Sequence, residues 1–501
     1  MSEKLRFVVL SRREVLPAAP RPLMVVRTDA WNDFGYQVQF HLTYVDEKNY
    51  QTHLGTLKVL QRVSAPGEAI GLAKSTVLPE SFQALDDSFV SLGQDDDYYK
   101  GLHELMGAQA GDVLTALRDI AWLPALAADF EPTSGFRNAL MRENGAHRAR
   151  RFGRPWASGV KVTEKLDFTY VGAIEGAEAE VTARFAFYAE DPVPGRIVGI
   201  IGRNAVGKTR FMASLAADLA QIARTSAEKL NERETRFPLG RPLFTRVIAI
   251  SYSAFDRFKR PHQDSSSSYV YCGIRNDKGI LSRSALIDSY RANQARIRER
   301  GDQRKWTSYM QAILGDLSAQ LTMDLEDEIG SDNLEDKALS LLSSGQSILA
   351  HFVTALLAWI QPNSIVLFDE PETHLHPNAV ASLFLVLSDI LEESDSYAVV
   401  ATHSPIVIQE IPAKRVLMFQ RMGNVTEAEP LGLESFGESV TELTRHVFET
   451  DEVDSVYRRT LKELAQTESV QQVIARFEQG LSLSAQAYLL AQYGKKAGGN
   501  R

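Results

Sequence analysis

Residues 202–209 read Gly-Arg-Asn-Ala-Val-Gly-Lys-Thr. Gly202, Gly207, Lys208 and Thr209 fit the phosphate-loop spacing G-x-x-x-x-G-K-[ST]. Glycines at these points let backbone N–H groups turn inward onto phosphate oxygens, and the N-terminus of a following helix adds its positive end. Lys208 supplies a cation for β- and γ-phosphate oxygens, and the Thr209 hydroxyl can ligate Mg²⁺. Arg203, Asn204, Ala205 and Val206 within the loop, and Arg210 after it, complete the predicted nucleotide-contacting stretch.

Three further sets of residues suit the same chemistry. Residues 364–370 read Ser-Ile-Val-Leu-Phe-Asp-Glu. The apolar run predicts a buried parallel strand, with two carboxylates at its carboxyl end, where open α/β sheets bind ligands. Asp369 suits a direct or water-mediated Mg²⁺ role. Glu370 suits the base that polarises a water for attack on a γ-phosphate. Residues 398–405 read Ala-Val-Val-Ala-Thr-His-Ser-Pro, which places His403 at the end of a second buried strand, beside the Asp-Glu strand and aimed at the γ-phosphate region. Residues 342–346 read Leu-Ser-Ser-Gly-Gln and open an apolar helix over 346–360. Ser343, Ser344, Gly345 and Gln346 form an anion site of capping serine and free N–H groups. By itself that is an ordinary helix cap. Ser343 lies 26 residues before Asp369, and a helix of about 15 residues spans about 22 Å. Such a helix returns the chain to an edge strand and leaves its anion-binding end facing outward, towards a second molecule.

These residues need elements to hold them. Arg196–Ile201 reads as the strand that feeds the phosphate loop, and Phe211–Ala223 as the helix that leaves it. Residues 1–62 alternate apolar and polar with period two, as half-buried strands do. Residues 76–150 read as mostly helical, with Asp112 as an N-cap before Val113–Ile120. Val160–Tyr170 and Val181–Tyr188 return to strand-like text. Ser265–Ser268 reads as a loop, and residues 282–314 as an Arg-rich helical stretch. Helices are expected over Val440–Phe448, Val453–Gln466 and Val470–Gln479. The expected organisation is a β-rich then helical region over 1–160 that contributes to the head, an α/β ATPase core over 161–430 with a helical insert at about 215–340, and a helical region over 431–501.

Composition excludes several classes. The chain has 501 residues, 44 % apolar and 24 % charged, which is ordinary for a globular protein. The single cysteine, Cys272, excludes an intramolecular disulfide and a cysteine-based zinc site, and fits a reducing, cytoplasmic setting. Residues 1–15 lack the apolar core of a secretory leader. The longest apolar run, Ile348–Ile360, is 13 residues and contains His351, too short to span a bilayer, so no membrane role is expected. Net charge is −9, against a uniformly basic coat but not against a local groove. Residues 136–165 and 256–305 each sum to +6, and residues 316–337 to −7. Single-sign blocks suggest partner surfaces: DNA for the basic stretches, a protein partner for the acidic one and for helices 453–490.

The four motifs GRNAVGKT, LSSGQ, IVLFDE and ATHS, in this order, resemble the head of ABC-type ATPases over roughly 165–430. The run DEPETHLHP, 369–377, is similar to the branch that includes RecF, the OLD ATPases and SMC-like ATPases. With VIAISYSAFDRF (247–258), YVYCGIRN (269–276) and FGESVTELTRHVF (436–448), it looks most like the stand-alone ATPases of bacterial anti-phage defence, those of Septu systems above all. The resemblance implies two heads that close face to face over two ATP and Mg²⁺. Walker A, Walker B and His403 of one head would meet Ser343–Gly345 of the other. It implies a homodimer or larger oligomer, with Lys208, Glu370 and His403 as catalytic residues. Two departures stand out: Ser344 replaces the usual glycine, and the expected Q-loop glutamine is missing, with Ser253, Phe255 and Gln263 as alternatives. The function implied is an ATP-hydrolysing defence subunit that controls a separate effector nuclease. The alternatives are a RecF-like repair clamp and, more remotely, a transporter ATPase. No second catalytic constellation is legible: the acidic run 323–328 reads as a solvated helix end, and His374 and His376 as interface residues. No intrinsic nuclease is therefore expected.

Overall fold

The computed structural model describes residues 6–64, 70–162, 166–222, 225–253, 256–260, 268–276, 279–314, 342–448 and 456–498. The acidic runs 316–337 and 323–328, and the Q-loop alternatives Phe255 and Gln263, lie outside them. The chain divides into two compact units, Met1–Val440 and Thr441–Arg501.

In the first unit the period-two text at the start of the chain folds into a sheet of six strands: β1 (Phe7–Leu10), β2 (Leu23–Thr28), β3 (Gln39–Val45), β4 (Gln51–Gln61), β5 (Ser81–Phe82) and β6 (Phe89–Gly93). Their order is β5-β1-β2-β3-β4-β6. One face packs against helices Asp96–Met106 and Asn144–Ala157, with Tyr98, Tyr99, Leu102 and Trp156 in the shared core. A hairpin, β7 (Asp167–Gly172) and β8 (Val181–Ala186), leads into the central sheet. That sheet joins β9 (Ile197–Ile201), β10 (Val247–Ser251), β11 (Tyr269–Gly273), β14 (Ile365–Asp369), β15 (Tyr397–Thr402), β16 (Val416–Met422) and β17 (Val425–Pro430). A small hairpin, β12 (Arg275–Asn276) and β13 (Gly279–Ile280), lies outside it.

The central order is β11-β10-β14-β15-β9-β16-β17, parallel throughout except for β17. Strands covered on both faces must be apolar along their whole length, and β9, β10, β14 and β15 are buried at every residue. The register places Ser251, Asp369 and Ala401 side by side, with Thr402 paired to Ile201. All the chemistry-bearing strand ends therefore open on one edge of the sheet. Helix Lys208–Leu219 packs beneath them, its Phe211 edge-on to Tyr170 and to Phe419. Helix Ser344–Trp359 stands on the other side. Its Phe352 stacks on Phe368 of β14 at 5.0 Å, and its Thr354 hydroxyl accepts from the Trp306 indole at 2.9 Å. The chain is thus an α/β fold of the P-loop ATPase kind.

Several expectations are corrected. β14 is third in the sheet rather than an edge strand, because β10 and β11 continue the sheet beyond it. The 76–150 region also supplies β5 and β6. The helix placed after Asp112 is Ala110–Ala116, which puts Asp112 inside its first turn and leaves Gln109 at the N-cap position with no side-chain cap bond. The helix after the phosphate loop starts at Lys208 and ends at Leu219. Within 136–165, Arg148 is buried, paired to Asp96 at 3.1 Å and bonded to the Leu243 carbonyl. Arg142 is paired to Asp33 at 2.7 Å, and Arg150 to Glu131. Three cations of the run are thus held in structural pairings, while Arg151, Arg154 and Lys161 are exposed. At the same place the backbone N–H of Asn144 donates to the Ser268 hydroxyl, and Glu143 accepts from the Ser268 N–H, both at 2.6 Å. These bonds lock the N-terminal helix to the central sheet.

The second unit is a small helical assembly. Helices Val456–Thr467, Val470–Ala475 and Leu483–Gly498 enclose Leu461, Ala465, Val473 and Leu489, and Ser469 with Gln472 forms a capping box.

Candidate functional site

The phosphate loop closes between β9 and helix Lys208–Leu219 because two of its glycines have no alternative. A Cβ on Gly202 would lie 2.4 Å from the Phe419 carbonyl oxygen, and one on Gly207 2.7 Å from Ile174. Gly207 also has φ +101°, and Ala205 adopts φ +67° between them. The β16–β17 hairpin braces the loop: the Thr426 hydroxyl donates to the Val206 carbonyl at 3.1 Å, and Arg421 to the Ala205 carbonyl at 3.3 Å. Buried Lys208 folds back on the loop, its Nζ donating to the Gly202 and Arg203 carbonyls at 2.8 and 3.2 Å. Burial holds its pKa below the usual lysine value, opposed by the charges of Glu370, Asp369 and Glu372.

Thr209 and Asp369 are 160 residues apart, and the Thr209 hydroxyl donates to Asp369 Oδ1 at 3.1 Å. Asp369 is fully buried, and its Oδ2 has no hydrogen-bond partner. Burial, reinforced by Glu370's charge, raises its pKa to about 7. An orphaned buried carboxylate oxygen beside a threonine hydroxyl and a phosphate loop fits a hard divalent cation, which Mg²⁺ is. Thr209 and Asp369 would hold it, and it would supply charge neutralisation at the phosphates.

Glu370 follows at φ +50°, a left-handed conformation that costs about 1–2 kcal/mol in a non-glycine residue. Its amide donates to the Ala401 carbonyl at 2.8 Å, which fixes the turn. His403 Nδ1 lies 3.4 Å from Glu370 and 3.3 Å from Glu372. Neither contact meets full hydrogen-bond geometry, and the ring sits between the two carboxylates. The pairing with His403 holds the Glu370 pKa below its usual value, and the same contact raises that of His403. Glu372, quoted in DEPETHLHP but given no role from sequence, accepts from the Thr402 hydroxyl at 2.6 Å and from the His403 amide at 3.0 Å. It ties the two strand ends together.

A cleft of about 470 Å³ runs over these groups. Asn204, Ala205, Gly207, Lys208, Thr209, Arg210 and Glu370 line it, together with Ile174, Ser253, Arg257 and Arg421. A larger cavity of about 750 Å³ lies between β11 and the helices beyond, and holds none of the phosphate-loop residues. Sequence reasoning missed Arg257, Arg421 and Glu372; of the Q-loop alternatives, Ser253 lines the cleft. Ser343 caps helix Ser344–Trp359 in a full capping box with Gln346. A Cβ on Gly345 would lie 3.1 Å from the His374 carbonyl, so this helix end sits against the segment that follows Glu370. Among the described residues, none of Ser343–Gln346 lines the cleft.

Residues 279–409 match the family described as "AAA domain, putative AbiEii toxin, Type IV TA system". Protein ea59 of Escherichia phage lambda is 26 % identical over 524 residues, covering 97 % of this chain and 98 % of that protein. Among solved structures, cbiO1 of Clostridium perfringens, part of the ABC transporter complex cbiONQ, aligns at 14 % identity and TM-score 0.30, covering 61 % of this chain and 96 % of that one. The SMC head domain of Thermotoga maritima aligns at 12 % identity and TM-score 0.30, covering 54 % and 100 %. The chain thus carries a stretch similar to an AAA domain, in a parallel α/β sheet whose strand β9 leads into a phosphate loop and helix.

Proposed function

We propose that the chain binds ATP with Mg²⁺ in the cleft over the phosphate loop and hydrolyses it. The observation that carries this reading is the meeting of Thr209 and Asp369 at 3.1 Å, with Asp369 Oδ2 unpartnered and Glu370 beside it. Lys208 would leave the Gly202 and Arg203 carbonyls for the β- and γ-phosphate oxygens. Glu370, kept ionised by His403, would orient a water and take its proton as the water attacks the γ-phosphate. His403 would stabilise the negative charge that gathers there.

Ser343–Gly345 lies outside the cleft, and its capped helix end is suited to phosphate. We propose that it completes the site of a second copy, so that ATP closes two heads face to face. The output we propose is control of a separate nuclease chain in phage defence. The match to a toxin–antitoxin family, the phage source of the relative and the motifs DEPETHLHP and ATHS support this reading.

The test of the core reading uses two variants. Lys208→Ala should abolish equilibrium binding of a fluorescent ATP analogue. Glu370→Gln should bind at wild-type affinity and lose turnover by about 10²–10⁴-fold, the usual worth of a positioned base. Wild-type turnover in Glu370→Gln would overturn the assignment. The purified chain with plasmid DNA, Mg²⁺ and ATP should leave the DNA uncut, and cleavage that disappears in Glu370→Gln would overturn the separate nuclease.

A further inference from the structure

Between β10 and β11, Ser253 and Arg257 line the cleft, and the stretch 256–260 around Arg257 is anchored with unusual care. Asp256 is buried. It accepts from the Phe258 amide at 3.1 Å, from the Tyr271 hydroxyl at 2.9 Å and from the Arg260 guanidinium. Phe258 is 1 % exposed and belongs to the core beneath the central sheet. Arg257 lies between these two fixed residues. Its side chain is exposed, lines the cleft with Lys208, Thr209 and Glu370, and has no ion pair or hydrogen bond among the described residues.

A cation anchored on both flanks, solvated and without an ion pair among the described residues, adds little to stability. The same cation has no partner among the described residues to give up when negative charge arrives in front of it. Its position follows from the sheet: β10 is the neighbour of β14, with Ser251 in register with Asp369. The segment after β10 therefore emerges beside the Asp-Glu pair. Lys208 approaches from the loop side, and Arg257 from the β10 side.

The geometry points to Arg257 as a catalytic residue that binds the γ-phosphate in cis and stabilises the charge on its oxygens as the bond to the β-phosphate breaks. Arg257 thereby becomes the group that distinguishes ATP from ADP, since only ATP extends to it. The assignment rests on the cleft being an ATPase site.

The experiment compares Arg257→Ala, Arg257→Lys and Glu370→Gln with wild type, reading ADP affinity, ATPγS affinity and ATP turnover. Because Arg257 is exposed, its truncation leaves the core intact, and a wild-type ADP affinity verifies this for each variant. Arg257→Ala should keep ADP affinity within about 2-fold, lose the preference for ATPγS over ADP, and lose turnover by about 10²–10³-fold, in the range set by single charge-stabilising donors. Arg257→Lys should recover part of both losses. If Arg257→Ala turns over like wild type while Glu370→Gln does not, the Arg257 assignment falls alone. An equal loss of ADP and ATPγS affinity would also overturn it, by making Arg257 a general phosphate contact. If Glu370→Gln turns over like wild type, the ATPase reading of the cleft fails and takes this one with it.

Discussion

Glu372 offers a sharp test of how the site is held. Its side chain is only 10 % exposed, so water does little to screen it. It accepts one bond from the Thr402 hydroxyl and one from the His403 amide. Hydrogen bonds to an ionised group contribute about 1.5–3 kcal/mol each, and truncating the acceptor strands both donors. Glu372→Ala should therefore cost about 3–5 kcal/mol of local stability, concentrated where β15 ends, and free the His403 ring. A displaced catalytic group costs up to about 10²-fold in rate, so turnover should fall by about 10–100-fold while ATP affinity stays near wild type. Glu372→Gln separates position from charge, because an amide oxygen can still accept both bonds. Turnover should then be largely retained, but one of the two carboxylates that raise the His403 pKa is gone. A raised imidazolium pKa adds stability that is complete below about pH 6.5 and is lost as pH rises through the folded value. Glu372→Gln should lower that upper limit, measured as the His403 ring titration by NMR. Amide hydrogen exchange at His403 reads the local stability directly. Wild-type turnover together with wild-type exchange in Glu372→Ala would refute the reasoning.

Two further outcomes follow from other parts of the molecule. Mixing Lys208→Ala with Ser343→Arg protein should restore one intact composite site per mixed dimer, giving ATPase activity above either parent; mixed dimers without activity would remove the face-to-face model. In the N-terminal sheet, buried Asp119 accepts from the Tyr99 hydroxyl and from the amides of Gly93, Ala121 and Trp122, yet burial still raises its pKa to about 6. The folded state then holds a proton that the unfolded chain releases, so this group's contribution falls as pH rises from about 4 towards 7, by about 3 kcal/mol for about two pH units. The stability difference between wild type and Asp119→Asn should shrink by that amount over the range, as measured by urea unfolding, and a flat difference would refute it.

The parts of the site legible in the sequence are those made by local text. The phosphate loop depends on Gly202 and Gly207, whose places are set by contacts with Phe419 and Ile174 and by a positive φ at Gly207. Glycine is the residue such positions require, so the pattern showed through. β9, β10, β14 and β15 are buried at every residue, and a fully covered parallel strand admits only apolar text. The neighbouring placement of Asp369 and His403 followed from two such strands, and the register bears it out. Strand order did not follow, because a run of apolar residues carries no record of which run lies beside it. Hence β14 was expected at an edge and stands third.

What stayed illegible depends on side chains distant in sequence. Arg421 and Thr426 brace a loop more than 200 residues earlier, and nothing in the text of a β-hairpin marks that task. Charge counting could not tell paired from solvated cations for a related reason. A window sum treats every arginine as solvated, but a guanidinium on an apolar helix face is taken inside if a carboxylate meets it. Arg148 is 5 % exposed because Asp96 does so from a separate helix, and because the Leu243 carbonyl accepts another of its protons. Reversing Arg148 would put a buried negative charge against Asp96, a change that costs several kcal/mol. Weakened DNA binding in such a variant would report a disturbed fold. Arg257 is the opposite case: it lies in a run read as a nucleic-acid face, yet it is solvated at the cleft itself and has no ion pair among the described residues. The sign of a window cannot separate the two. Whether a carboxylate reaches the cation decides it, and that is settled only when the sheet and its helices have closed.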